Sequence, residues 1–454
     1  MSESQPELRT VEERRAEGQA RRAEVPRSSH AGWRAPPDRP DPITLLEERH
    51  RSRVRELVPI RVGRMLVSPF TFLRGAAEVM ARDLASTPTS GLRVQACGDA
   101  HLLNFGVFAT PERHLVFDVN DFDETLPAPW EWDVKRLAAS VAVAGRNASF
   151  APEQIDLAVG NMVRAYRVRM AELAAMAPLD VWYDRVDVDG VLAMSRRQDT
   201  PSLPGGEHMI ERARHHTSLA ALPKLTELVG GHRRIIEDPP LILHAHHRFD
   251  VPRRAFDAYL ASITRERRTL LDRYEVVDAA RKVVGVGSVG TRCHIVLLMD
   301  GDGEAPLFLQ IKQAEVSVLA PYAGPSECLH QGERVVTGQR LMQAASDVFL
   351  GWADGPYGHQ YYVRQLRDMK GSVSIDLLGP DDLLRYAMLC GVTLARAHAR
   401  SGDPAAIAGY LGSGDQFDRA IVSFADGYAD QTVADHAALE QAVADGRIEA
   451  VRGR

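Results

Sequence analysis

Asp99 and Asn104 stand five residues apart in the segment Gly98-Asp99-Ala100-His101-Leu102-Leu103-Asn104. A loop that positions a hydroxyl for attack on phosphorus needs such a pair. The carboxylate accepts or orients the hydroxyl proton, and the amide carbonyl oxygen reaches a Mg²⁺ on the far side of the same loop. Four acids follow: Asp118, Asp121, Asp123 and Glu124. Mg²⁺ bound with a nucleotide takes one or two carboxylates, with phosphate oxygens and water completing its octahedron. Acids this close repel one another unless cations or hydrogen bonds compensate. The apolar run Leu115-Val116-Phe117 predicts a strand that leads them toward the interior, and Asp118, Asp121 and Asp123 all stand as candidate ligands.

Two further segments suit phosphate. Gly285-Val286-Gly287-Ser288-Val289-Gly290 lies between β-like stretches, and its glycines let backbone N–H groups approach phosphate oxygens unhindered. A strand-like run follows it rather than a helix, which argues against a dinucleotide-binding turn. Lys312 ends the apolar strand Leu307-Phe308-Leu309-Gln310-Ile311-Lys312 and is one of five lysines in a chain with fifty arginines. A compact ammonium at such a position is expected to hold phosphate and to need an acid from the next helix, with Glu333 first and Glu327 second. Gly285, Gly287, Ser288, Gly290, Lys312 and Glu333 are therefore the expected nucleotide-binding set. Gly98-Asp99-x-His101 also fits a two-metal hydrolase loop. That chemistry needs an upstream Asp-x-His and a downstream Gly-Asn-His segment, and the chain has neither; His244, His246 and His247 could supply ligands, but a His-rich amphipathic loop is the favoured reading of them.

The elements that must position these residues follow from periodicity. Apolar spacing predicts helices over 70–86, 131–146, 152–175, 252–270, 330–346, 380–400 and 415–445. A short strand over 92–97 delivers the chain into the Gly98 loop. A hairpin over 105–109 and 115–120 turns at Pro111-Glu112-Arg113. Residues 281–299, 306–314 and 360–366 read as β-rich, and 181–240 as mixed helix and loop. The division expected is a mobile arm over 1–40, a helix-rich block over 41–277, a β-rich block over 278–370 and returning helices over 371–454.

The 454 residues suffice for two or three domains. A formal charge of -6 supplies no excess of cations to displace counterions from nucleic acid. The four cysteines (Cys97, Cys293, Cys328, Cys390) form no CxxC pair, so the expectation is a reduced, cytoplasmic protein without a disulfide framework. No apolar run reaches membrane-spanning length, and the first forty residues lack an apolar secretory segment.

The chain resembles the bacterial family catalogued as domain of unknown function 2252. The resemblance is carried by Arg64-Met65-Leu66-Val67-Ser68-Pro69-Phe70, the Gly98–Gly106 loop, Asn120-Asp121-Phe122-Asp123-Glu124-Thr125, Pro129-Trp130-Glu131-Trp132-Asp133 and Gly338-Gln339-Arg340-Leu341-Met342-Gln343. More distantly, Gly98–Asn104 and Trp132-Asp133-Val134 are similar to segments of aminoglycoside-phosphotransferase-like kinases. In such proteins the Asn opens a hairpin whose return strand ends in the metal-binding Asp. Matching strand lengths then favours Asp121 over Asp118, with Asp123 as a second ligand. The order is permuted, because residues 98–123 precede 285–312 whereas in ordinary kinases the Gly-rich loop and lysine come first. The resemblance implies an α+β, two-lobed protein-kinase-like fold, circularly permuted so that the helical lobe comes first and the β-rich lobe after it. It implies ATP and Mg²⁺, Asp99 and Asn104 as catalytic residues, and Asn104, Asp121 and Asp123 on the metal. The acceptor would be a small molecule or a protein. A nucleotide-binding sensor or scaffold that has lost catalysis is the alternative from another class.

Overall fold

The computed structural model describes residues 9–190, 206–244, 250–366 and 369–453. Two short antiparallel ladders place the chemistry-bearing loops. Arg93–Ala96 pairs with Leu126–Pro129, Ala96 opposite Leu126. Phe105–Ala109 pairs with Leu115–Val119, Phe105 opposite Val119, and the Asn120 amide donates to the Asn104 carbonyl at 2.8 Å. The connectors 97–104 and 120–125 therefore leave the two ladders at adjoining ends and lie against each other.

The helix Trp130–Asn147 begins directly after the second of these strands, with Glu131 and Asp133 in its first turn, where the exposed N–H groups favour negative charge. It is buried along almost its whole length. The helices Pro152–Leu173, Pro380–Ala399 and Gln416–Ala444 pack with it around one large apolar core, which also takes Phe105, Phe117 and Phe122 from beneath the loops. The expected helix over 70–86 is two helices, Pro69–Gly75 and Ala77–Leu84, broken at Ala76.

A six-stranded antiparallel sheet forms the other block. Its order is Gly351–Asp354, Gln360–Gln365, Pro306–Ala314, Cys293–Asp300, Tyr274–Lys282, Ile242–Leu243. Alternation along Cys293–Asp300 feeds two cores: Val296 and Leu298 face Phe256 and Tyr259, while Ile295, Leu297 and Met299 face Leu222 and Leu225. The sheet thus reaches upstream of the boundary expected at 278. Charged residues in Tyr-Glu-Val-Val-Asp-Ala-Ala-Arg-Lys hide the strand Tyr274–Lys282 from a hydrophobicity reading. Among the described residues no helix is long and apolar enough to cross a membrane.

Residues 9–40 are not the mobile arm that their composition predicts. Thr10 and Glu13 form a capping box on the helix Val11–Ala20. Gly18 approaches the Ala406 carbonyl so closely that a Cβ there would sit 1.8 Å from its oxygen. Arg39 binds Asp83 at 2.8 Å and Asp435 at 2.6 Å. The polar composition serves intrachain pairing rather than hydration. Residues 1–8 lie outside the described region.

His30 reports this docking. It is 1 % exposed, contacts the Tyr410 hydroxyl at 2.7 Å and meets Phe417 edge-on. Burial pushes its pKa down to about 3, aided by the Lys135 charge. An imidazole depressed in the folded state contributes stability above its unfolded pKa and loses it as pH falls. Between pH 6.5 and 4, wild type is expected to lose up to about 1.4 kcal/mol per pH unit relative to His30→Phe in denaturant unfolding. Parallel pH profiles of the two proteins would mean that this histidine titrates freely.

Candidate functional site

Asp133 builds the loop that carries Asp99. Its carboxylate accepts from the Cys97 amide at 2.6 Å and the Gly98 amide at 3.0 Å, with His398 Nε2 at 3.2 Å. Gly98 adopts φ 82° beneath the Glu124 carbonyl, where a Cβ would meet oxygen at 2.3 Å. Only glycine satisfies both conditions. Tyr386, on the helix Pro380–Ala399, donates to the Leu102 and Phe105 carbonyls at 2.9 and 3.0 Å. That helix, rather than the pair over 69–84, supports the loop from below.

Asp99 Oδ1 is gripped by Arg136 through Nε at 2.9 Å and Nη2 at 2.6 Å. Oδ2 faces His101 Nε2 at 3.7 Å. Burial raises the Asp99 pKa to about 6; Arg136 works against this, and Asp121 and Glu124 reinforce it. Asn104 donates its side-chain amide to the Asp99 carbonyl at 2.6 Å, which leaves Oδ1 as the atom suited to a cation.

Asp99, Asn104, Asp121 and Asp123 line one cleft enclosing about 860 Å³, its open mouth included. Gly285, Gly287 and Ser288 line the same cleft. Two blocks far apart in sequence thus meet there. The Ser288 hydroxyl donates to Asp123 Oδ2 at 3.5 Å. Gly290 is set back from the cleft: its carbonyl accepts from the Val54 amide at 2.8 Å, and its φ of 90° lies against the Arg53 side chain.

Lys312 does not meet Glu333 or Glu327. Its ammonium, 1 % exposed, pairs directly with Asp123 Oδ2. The Tyr362 hydroxyl donates to Asp123 Oδ1 at 2.8 Å. Burial opposes both charges, but mutual attraction prevails: Lys312 is held above its usual pKa by Asp121 and Asp123, and Asp123 below its usual range by Lys312 and Tyr362. The helix Gln331–Met342 contributes Arg334 instead of Glu333. Its guanidinium clamps the Asp123 carbonyl at 2.8 Å, the Thr125 carbonyl at 2.6 Å and the Glu315 carbonyl at 2.8 Å.

Asp118 is committed elsewhere. It is 1 % exposed, pairs with the fully buried Arg396 and accepts from the Ala344 amide at 3.0 Å. Asp121 lines the cleft, and its Oδ1 accepts from the Asp123 amide at 3.3 Å. Asn104 and Asp121 therefore present two hard oxygen donors to the same space, a set that suits Mg²⁺ completed by phosphate and water. Among the described residues no group of three His, Cys, Asp or Glu side chains is arranged to hold a metal by itself. His244 is clasped between Glu237 at 3.0 Å and Asp278 at 2.9 Å, away from the cleft; His246 and His247 lie outside the described residues.

Sequence reading missed the arginines. Arg136 and Arg334 hold the loops, and Arg49, Arg53, Arg61 and Arg74 line the cleft. Fifty arginines conceal the few that matter, whereas five lysines made Lys312 conspicuous. Tyr362 was equally silent, an aromatic residue in an ordinary strand.

A family model described as an uncharacterized protein conserved in bacteria, DUF2252, matches residues 53–442, and the chain belongs to this family. No curated protein and no solved structure matches it.

The two aspartates at the ends of one segment separate experimentally. Asp118→Ala strands the Arg396 charge in the core and is expected to cost about 3–5 kcal/mol in denaturant unfolding. Asp121→Ala removes a cleft-facing group and should cost under about 1 kcal/mol. Equal losses would show that Asp121 is as structural as Asp118.

Proposed function

We propose that this member of the DUF2252 family is an ATP- and Mg²⁺-dependent phosphotransferase with a circularly permuted kinase-like arrangement. The helical block with its Asp99 loop precedes the sheet with Lys312. The observation that carries the reading is the convergence of the Asp99–Asn104 loop, Asp121 and the Gly285–Ser288 turn on one cleft, with Lys312 buried behind Asp123. Four independently placed segments supply what phosphoryl transfer asks of a protein, which is positioning and charge stabilisation more than covalent chemistry.

In this reading Mg²⁺-ATP supplies the transferable phosphoryl group and the charge that draws it to the site. Asn104 Oδ1 and the Asp121 carboxylate are the groups suited to the cation. Backbone N–H groups of the Gly-rich turn approach phosphate oxygens, and Lys312 contributes fixed positive charge from beneath. Asp99 orients the acceptor hydroxyl. Arg136 holds its Oδ1 by two bonds, so Oδ2 is the atom that receives the proton. The raised pKa of this carboxyl places its ionisation within the range where a general base is effective.

Two outcomes follow. In single-turnover assays without acceptor the wild type should transfer the γ-phosphoryl group of bound ATP to water, giving ADP and phosphate, and Asp99→Asn should slow this by at least about 100-fold with nucleotide affinity unchanged. Nucleotide that binds but stays intact would instead identify a non-catalytic sensor. Transfer should also rise as pH passes about 6, because only the ionised Asp99 carboxylate accepts a proton. A rate independent of pH from 5 to 8 would remove Asp99 from the base role.

A further inference from the structure

The cleft wall beside the Gly-rich turn is built from guanidinium groups, and their donors are not all used. Arg61 is 1 % exposed. Its Nη2 bonds the Gly75 carbonyl and stands 3.6 Å from Glu78 Oε1, while Nε and Nη1 have no hydrogen-bond partner. Arg53, 9 % exposed, spends Nη1 on the Val289 carbonyl at 2.6 Å and leaves Nε unpartnered. Arg74 Nε is likewise buried and unpartnered. A buried donor without an acceptor costs roughly 1–3 kcal/mol, more when charged, and three such guanidinium groups line this one cleft, beside two acid oxygens without a hydrogen-bond partner, Glu78 Oε1 and Glu315 Oε2.

The neighbouring acids answer for them only in part: Glu78 and Glu315 act on Arg53 and Arg61, and Asp99 and Asp376 on Arg74. Arg49 takes Glu124 at 3.1 Å and Glu315 at 3.3 Å. Glu78 serves Arg61 only at 3.6 Å, and Asp99 is committed to Arg136. Burial and then the Arg61 charge bring the Arg53 pKa down to about 9, against the pull of Glu78 and Glu315.

Position suggests what the oxygen belongs to. Arg136 Nη2 bonds both Asp99 and the Leu73 carbonyl, at 2.6 and 2.7 Å, so Arg74 follows immediately on the residue clamped to the hydroxyl-orienting carboxylate. Lys312, Asp121, Asn104 and the Gly285–Ser288 turn, whose Gly287 lies against the Arg74 carbonyl, are the groups already assigned to nucleotide and metal. We propose that Arg53, Arg61 and Arg74 form a pocket for an oxyanion, a phosphate or carboxylate carried by the acceptor and held beside Asp99. The word acceptor rests on the phosphotransferase reading; the oxyanion pocket does not. The acceptor class is then a small anionic molecule bearing a hydroxyl.

The test uses the full chain without nucleotide, at constant ionic strength in chloride, with orthophosphate and malonate as probes of the two oxyanion types. At least one should raise the melting temperature saturably. Arg74→Gln and Arg53→Gln should each weaken that probe at least tenfold, and Arg74→Lys should recover part of the loss. Arg74 is the safer variant, being only half-buried, and does not depend on Arg61→Gln folding. The shift should persist in Asp121→Ala and under saturating Mg²⁺-ATP. No response to either probe, or an equal response in the arginine variants, overturns the pocket. A response abolished by Mg²⁺-ATP assigns these arginines to the nucleotide and overturns the acceptor site. An arginine-dependent response in a protein indifferent to Mg²⁺-ATP upholds the pocket and sinks only the kinase reading.

Discussion

A buried ammonium and the carboxylate it pairs with lie at the seam between the two halves of this molecule. Lys312 closes a sheet strand, and Asp123 lies in the connector that leaves the hairpin of the helical block. Lys312 is buried at that junction, while Asp123 keeps part of its side chain open to the cleft. An ammonium buried there without its carboxylate would be strongly destabilising, whereas the pair with Tyr362 completing the carboxylate is tolerated. The pair therefore acts less as a source of stability than as a register mark. The sheet docks where Lys312 meets Asp123, and the Gly285–Ser288 turn lines the same cleft as Asp99, Asn104 and Asp121. Arg334 fixes the same seam by bonding three carbonyls from both sides of it.

A second set of constraints acts at right angles to the first. The two ladders fix where connectors 97–104 and 120–125 begin, and Asp133 holds the Cys97–Gly98 backbone. The cleft is thus assembled by carboxylates with separate duties. Asp133 shapes a loop, Asp118 neutralises Arg396, Asp123 receives the sheet, and Asp99 and Asp121 remain facing the cavity. Acids that read as one cluster in the sequence are divided by geometry into structural and chemical members.

That division marks how far the sequence could be read. Strands over 93–96, 105–109, 115–119 and 306–314 and the long helices were legible because alternation and helical spacing are local properties. The convergence of residues 98–123 with 285–312 was expected from residue types together with the resemblance to kinases. The partner of Lys312 was not legible, since a buried ion pair depends on which carboxylate lies across the seam, and helix position favoured Glu333. The docked N-terminal segment was misjudged for a related reason. Its arginines and glutamates look like a solvated tail until Asp83, Asp435 and the Ala406 carbonyl are placed opposite them. The cleft arginines were invisible against the composition.

The central claim is that the cleft lined by Asp121, with Lys312 behind Asp123, binds Mg²⁺-ATP. Calorimetric titration of Mg²⁺-ATP into wild type, Lys312→Ala and Asp121→Ala tests it most directly. Binding by the wild type, weakened at least about tenfold, or about 1.4 kcal/mol, in each variant, is the predicted result. No binding by the wild type, or equal affinity in all three proteins, would contradict it.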